Sequence, residues 1–446
     1  MSNNGQSAKR ASFSGKIGYV LAVAGSAVGL GNIWRFPYLA AKYGGGIFLL
    51  VYLVLTVSFG YVLIMSETAL GRMTRKSPVG AFQTFGKTKS FKIGGWLNAI
   101  IPMLIVPYYS SIGGWVIKYL AEYLKGNVQT VAQDGYFTEF ISDSFQVEAW
   151  FIVFSILVFC VILAGVENGV ERVSKIMMPI LVILAVIVAI YSVTRPGAIE
   201  GVKYFLIPNP KHFSAMTVVA AMGQMFYSLS IAMGILYTYG SYIGKDVDLE
   251  KSTTQVEIFD TAIAMLAGLM IIPAVYTFMG TEGMSAGPGL MFVSLPKVFK
   301  AMGAAGVLVG IVFFLMVSFA AVTSSVSVME AIVSSMMDKF HVSRKKGTIL
   351  TTLYGMIVGV IVCLGYNKLY FELKLPNGTV AQILDVMDYI SNNCLMPMVA
   401  LLTCILIGWV VKPKVIIDEV TLGGYRFGRE KLYVAMIKVI APLMLL

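Results

Sequence analysis

Gly25-Ser26-Ala27-Val28-Gly29-Leu30-Gly31-Asn32 breaks an apolar run that extends from Ile17 to Leu39, and Arg35-Phe36-Pro37 follows it directly. Without the break the run reads as one membrane helix. Three glycines and an asparagine weaken a helix at the depth where lipid offers backbone groups no partner. Non-helical backbone persists there only when it is buried in protein or lines a cavity. The stretch is therefore a candidate ligand site. Gly25 and Gly29 also form a GxxxG pattern, which lets two membrane helices touch closely, so taken alone the segment leaves packing and binding both open.

Composition sets the class. Of 446 residues, 57% are hydrophobic and only 13% charged, and mean hydropathy is +0.80. A soluble domain carries about 25% charge, so the chain is expected to cross a membrane many times. Apolar windows give about eleven helical spans, near 15–39, 46–70, 94–121, 148–165, 175–194, 214–242, 257–280, 302–337, 348–366, 380–411 and 432–446, the last being short. Cys160, Cys363, Cys394 and Cys404 all lie in apolar stretches. That leaves no loop pair for a disulfide and no CxxC for a metal. The polar start, Met1 to Ser12, lacks a signal-peptide layout, so the first span itself is expected to direct insertion.

Arg72, Arg75, Lys76, Lys87, Lys89 and Lys92 follow the second span, whereas Asp134, Glu139, Asp143 and Glu148 follow the third. Short basic loops stay in the cytoplasm, which predicts a cytoplasmic N-terminus and, with eleven spans, an outer C-terminus. The net charge of +11 suits contact with anionic lipid and carries no nucleic-acid signal, because no soluble fold accompanies it. No hydrophilic stretch is long enough for a separate domain. Residues 1–446 are expected to form one transmembrane unit.

The sixth span carries a second break, Gly223-Gln224-Met225-Phe226-Tyr227-Ser228-Leu229-Ser230-Ile231-Ala232-Met233-Gly234. Five spans separate it from the first. Two five-helix halves that each begin with a broken helix give this spacing. Such half-helices offer free N–H groups to an anion and free carbonyls to a cation. In the eighth span, Ala301 to Met337 contains one charge, Glu330. Its 37 residues would reach roughly 55 Å at 1.5 Å per residue, beyond a hydrocarbon core of ~30 Å, so it must tilt or project. Ala320, Thr323 and Ser324 share one helix face. Hydroxyls in membrane helices often bond back to their own carbonyls, but beside an unwound segment the same groups make an oxygen cage of the kind hard cations prefer.

AGSAVGLGNIWRFPYLAAKYGGGIF in the first two spans, GQMFYSLS in the sixth, FAAVTSSVSVME in the eighth and LDVMDY in the tenth resemble the neurotransmitter:sodium symporter family, in its bacterial, LeuT-like amino-acid transporter branch. The first motif is long and specific, the others are weaker singly, and the match runs over essentially the whole chain in order. The resemblance implies an all-α polytopic fold, the LeuT-type 5+5 inverted repeat with discontinuous helices 1 and 6. Repeat one would cover about 13–195, repeat two about 213–411, with an extra helix at about 432–446.

It also implies site residues. A second sodium site would use carbonyls of Gly25, Val28 and Ala320 with the hydroxyls of Thr323 and Ser324. A first would use the Ala27 carbonyl, Asn32, Ser228 and Asp260. Asp260 departs from the best-known bacterial pattern, which has an amide there. Since animal relatives balance charge with chloride, two sodium ions and no chloride requirement are expected.

Monoamine transporters carry an acid where this chain has Gly29, so the substrate must bring its own carboxylate. That group would meet the N–H groups of Leu30 and Gly31, the hydroxyl of Tyr109 and the first sodium. Leu30 fills the space a longer ω-amino acid needs. Ser26, Ala27, Ile105, Tyr227, Ser228, Ser230, Met233 and Val328 would form the rest of the pocket, which suits a neutral, hydrophobic or aromatic α-amino acid. Ala232, where many relatives have glycine, reduces room for the largest rings.

Arg35 and Asp388 match the outer gate pair, with Tyr109 and Tyr227 as a lid. Arg10 and Asp338 match the inner pair, supported by Ser241, Tyr242 and Glu330, although an ordinary positive-inside charge explains Arg10 nearly as well. Glu67 is expected to accept hydrogen bonds from the unwound backbone. The implied function is sodium-coupled import across the bacterial cytoplasmic membrane by alternating access. A sodium-independent or proton-coupled exchanger of the same architecture would not need the Thr323–Ser324 cage, and a channel or amino-acid sensor would not need two gates. An enzyme is not expected: His212 and His341 lie at span edges and no nucleophile–base set is visible.

Overall fold

The computed structural model describes residues 12–86, 88–283, 287–376 and 380–446. Nearly all of it is helix. Lys16–Ala27 (α1) and Gly31–Lys42 (α2) form a bent pair, with 42° between their axes. Gly46–Thr74 (α3), Phe91–Leu124 (α4), Ser144–Leu163 (α5) and Val166–Val193 (α6) complete the first five spans. Ala215–Ser228 (α7) and Ile235–Gly240 (α8) make up the broken sixth. Leu249–Gly280 (α9), Ala304–Phe340 (α10), Arg344–Leu364 (α11) and Ile383–Val411 (α12) follow, and residues 430–445 (α13) end the chain in helix.

Among the described residues, eight helices are long and apolar enough to cross a membrane, and the α1–α2 pair makes a ninth. The two pieces of the sixth span and the 16-residue terminal segment are too short to qualify singly. Eleven membrane-directed segments result, with the last one short.

Burial separates inner from outer helices. The most apolar windows of α3 and α4 are 67% and 78% buried by protein, whereas those of α5 and α6 are 28% and 33% buried. The latter two therefore face lipid. The broken helices lie at the centre, against α3, α6, α9 and α10.

The two breaks differ in local cause. In the first, Val28 leaves the helical region at φ −80°, ψ 85°, and the chain resumes as a π-helical turn, Gly31–Arg35. In the second, Ser230, Ala232 and Gly234 all have positive φ, at 56°, 60° and 75°. A non-glycine residue there costs about 1–2 kcal/mol, so surrounding structure must hold it. Glu67 Oε1 does so by accepting the Ala232 N–H at 2.9 Å. Close packing fixes α8 as well: a Cβ on Gly71 of α3 would strike the Tyr237 carbonyl, and one on Gly240 would strike the Thr68 carbonyl.

Candidate functional site

A small, partly enclosed cavity of about 20 Å³ lies between the two breaks. Ser26, Ala27, Gly29, Gly31, Ile105, Tyr109, Tyr227, Ser230, Met233, Ser324 and Val328 line it. No lining side chain carries a charge. Leu30 and Ser228, also expected at the pocket, are not among its lining residues; both are buried. The breaks meet through their hydroxyls, Ser26 Oγ and Ser230 Oγ being 2.8 Å apart. At one end the Leu30 N–H donates to the Tyr109 hydroxyl at 2.9 Å, so a backbone donor and a phenol converge on one spot. Ile105, Met233 and Val328 add an apolar portion, and methionine adapts its shape to an occupant.

Beside the cavity, Asp260 is fully buried and accepts from three helices. Asn32 Nδ2 donates to Oδ1 at 2.8 Å and to the Asp260 carbonyl at 3.1 Å. Ser228 Oγ lies 2.5 Å from Oδ1 and 3.1 Å from Asn32 Oδ1. Tyr52 donates to Oδ2 at 2.5 Å. A lone buried carboxylate is costly, and hydrogen bonds from every side reduce that cost. The cluster is rich in oxygen, and the Asp260 carboxylate, when ionised, would supply the one negative charge that suits a hard monovalent cation. Tyr52 was not expected: within GIFLLVYLVL nothing distinguishes it from a packing aromatic.

The second oxygen cluster joins α1 to α10. Ser324 Oγ donates to the carbonyls of Ser26 at 2.9 Å and Gly25 at 3.3 Å. Thr323 Oγ1 bonds back to Phe319 O at 3.0 Å and Ala320 O at 3.2 Å. Gly25, Ala320, Thr323 and Ser324 are thus brought together, and Val28, at the end of α1, is fully buried next to them in sequence. Both α10 hydroxyls here satisfy carbonyls, a hydrogen-bonded arrangement that a cation could replace.

Arg35 and Asp388, the expected outer gate pair, each have another partner. Arg35 Nη1 donates to Gln224 Oε1 at 3.2 Å, and its guanidinium lies 5.5 Å from the Tyr227 ring centre. Gln224 in turn donates to the Gly31 carbonyl at 2.8 Å. Asp388 accepts from Asn392 Nδ2 at 2.6 Å, so Arg35 and Asp388 are not in direct ion-pair contact. The Tyr109 and Tyr227 rings lie 6.4 Å apart across this end of the cavity.

At the opposite end, Glu330 takes the Tyr242 hydroxyl at 2.6 Å and both arms of Arg344, at 2.9 and 2.5 Å. Arg344 is a partner that the sequence did not reveal, because it starts a different helix. Asp338 accepts the Ser77 N–H at 2.5 Å. Arg10 lies outside the described residues. Phe13 seals this end: it is buried, donates its N–H to the Tyr242 carbonyl at 3.2 Å, and packs on Tyr19, Tyr239 and Tyr242.

Comparison with known proteins matches this arrangement to a family. The model of the sodium:neurotransmitter symporter family matches residues 10–139 and 122–446. An uncharacterized sodium-dependent transporter, YhdH of Bacillus subtilis (strain 168), is 34% identical over 419 residues, covering 93% of this chain and 91% of that protein. One from Haemophilus influenzae is 31% identical over 452 residues, covering 98% and 97%. The human sodium- and chloride-dependent GABA transporter 2 is 27% identical over 473 residues, covering 94% of this chain and 76% of that protein. Among solved structures, the crystal structure of MhsT in complex with L-phenylalanine superimposes with a TM-score of 0.89 at 35% identity, covering 98% of each chain. The chain belongs to the sodium:neurotransmitter symporter family: it is a sodium-dependent, multi-pass membrane transporter with the LeuT-type fold, and not an enzyme.

Proposed function

We propose that this transporter couples sodium entry to uptake of a neutral, hydrophobic or aromatic α-amino acid. The observation that carries this reading is the cavity between the breaks, with hydrogen-bonding groups at one end and uncharged, largely apolar side chains beyond. A substrate carboxylate would take the Leu30 N–H and Tyr109 hydroxyl and complete the first sodium site with Asn32, Ser228, Asp260 and the Ala27 carbonyl. The apolar side chain would lie against Ile105, Met233 and Val328. Similarity to a structure determined with L-phenylalanine supports the same substrate class.

Sodium enters as co-substrate. Two ions would bind, one at Asp260 and one between α1 and α10, where Gly25, Val28 and Ala320 carbonyls join the Thr323 and Ser324 hydroxyls. The second ion would draw the broken first span against α10. The amino acid then bridges α1, α4 and α7, and Arg35, Asp388, Tyr109 and Tyr227 close above it. Inward release would require Phe13, Tyr242, Glu330, Arg344 and Asp338 to part. Asp260 brings a fixed negative charge, so transport would need no chloride, unlike the human relative whose name includes it. The basic residues after α3 support a cytoplasmic N-terminus in the cytoplasmic membrane. Each inward charge then gains about 2.3 kcal/mol per 100 mV.

Uptake of radiolabelled amino acids into proteoliposomes tests this. Sodium-driven accumulation of phenylalanine- or leucine-like substrates in chloride-free buffer is expected. Absence of sodium stimulation for every neutral amino acid would refute the symport reading. Thr323→Ala combined with Ser324→Ala should abolish sodium-dependent substrate binding, measured by scintillation proximity, while the protein stays monodisperse. Unchanged binding would remove these hydroxyls from the sodium site.

A further inference from the structure

Arg429 lies far along the chain from both breaks, yet it is bound into the same α3–α9 interface that holds Asp260. Its Nη1 contacts Glu257 at 3.0 and 3.3 Å, and its guanidinium lies 4.1 Å from the Tyr61 ring centre. Nη1 also reaches the Val57 carbonyl at 3.4 Å, within the π-helical turn Thr56–Gly60 of α3. The backbone is anchored too: Glu250 accepts the N–H groups of Gly428 and Arg429 at 2.7 and 3.1 Å, together with the Tyr61 hydroxyl at 3.1 Å.

Glu257 is three residues before Asp260 on α9, which puts the two on one helix face with Cβ atoms about 5–6 Å apart. The Glu257 side chain is 5% exposed, so bulk water screens it poorly. The interface is layered. Tyr52 of α3 donates to Asp260 in one layer, and Tyr61 of α3 lies against the Arg429 guanidinium in the next. The Glu257–Arg429 pair sums to zero charge, and the Glu250 carboxylate lies on the far side of Tyr61, bound to its hydroxyl.

We propose that the Glu257–Arg429 pair tunes the affinity of the Asp260 site for sodium, the segment before α13 supplying the charge that cancels Glu257. The inference rests on Asp260 being a sodium ligand. Both partners act through Asp260 and are positioning residues, since neither touches the cavity. Removing the carboxylate alone leaves an uncancelled guanidinium near the cation site; its side chain is 32% exposed, so water screens that charge in part and the remainder acts across about one helical turn.

The test measures sodium dependence of amino-acid binding to purified protein. Glu257→Gln is expected to raise the half-saturating sodium concentration about tenfold. Glu257→Gln with Arg429→Gln, which removes both charges, should return it to within about twofold of the wild type. A structural role alone would leave the double variant at least as impaired as the single. The proposal is overturned if Glu257→Gln leaves sodium dependence unchanged, or if the double variant stays shifted. Should the single variant fail to fold, Arg429→Gln takes its place: it leaves Glu257 uncancelled, so a lowered half-saturating sodium concentration supports the proposal and an unchanged or raised one refutes it. Asp260→Ala in the same assay separates the two readings. Unaltered sodium dependence there would refute Asp260 as a ligand, whereas its loss beside an unaffected Glu257→Gln refutes only the tuning.

Discussion

Asp260→Asn should raise the sodium concentration needed for half-maximal substrate binding by roughly a hundredfold in chloride-free buffer. The substitution nearly preserves shape, and the Tyr52 hydroxyl can donate or accept, so hydrogen bonding survives better than charge does. What is lost is the one fixed anion among Asn32, Ser228 and Tyr52. Breaking a buried charge pair costs about 3–5 kcal/mol, and each 1.4 kcal/mol is a factor of ten. Chloride should restore part of the loss, because the Tyr52 and Ser228 hydroxyls remain as anion donors. Binding titrations in sodium gluconate and sodium chloride distinguish the outcomes. Sodium dependence unchanged in gluconate would remove Asp260 from the site.

Gly29→Ala should cut uptake by ten- to a hundredfold while leaving the protein folded. Its Cβ would fall 2.6 Å from the Tyr109 hydroxyl and press on Ser324 Oγ, closer than real Cβ contacts come. Tyr109 must then leave the Leu30 N–H, and Ser324 must leave the Gly25 and Ser26 carbonyls. Overpacking of this kind costs about 1–3 kcal/mol, here concentrated on both binding clusters at once. Gly25→Ala provides the contrast: its nearest neighbours would be Ser174 Oγ at 3.2 Å and Thr323 Cβ at 3.4 Å, so its loss should be smaller. Comparable uptake for Gly29→Ala and the wild type, with equal melting temperatures, would refute this placement.

Local physics makes much of the design legible in the sequence alone. A run of Gly25, Gly29, Gly31 and Asn32 cannot remain a regular helix in lipid, and the second break at Ser228 to Gly234 repeats the problem five spans later. How each break is held is a different matter. Ala232 stays at φ 60° because Glu67, on another helix, accepts its N–H. The sequence marks Glu67 as an acceptor, but which N–H it takes depends on how α3 packs against the break.

Partner choice is the least legible property. Arg35 binds Gln224 and Tyr227 in this state, Glu330 binds Arg344, and Asp260 adds Tyr52 to the ligands expected for it. Each of these partners comes from a distant part of the chain and carries no local pattern of its own. A tyrosine or arginine in a membrane helix looks the same whether it packs, anchors or binds.

The sequence by itself determined that the chain spans a membrane, where its helices must break, and that one break holds no acid while Asp260 sits in the apolar setting Phe259 to Ile263. Those properties follow from hydropathy, glycine content and the cost of buried charge, all of which are local. Tertiary structure alone decided which oxygens converge, that Ser324 serves both Gly25 and Ser26, and that Arg429 reaches Glu257 one helical turn from Asp260. These depend on how helices distant in sequence pack, because side-chain hydrogen bonds extend only about 3 Å and only packing brings their partners within that range.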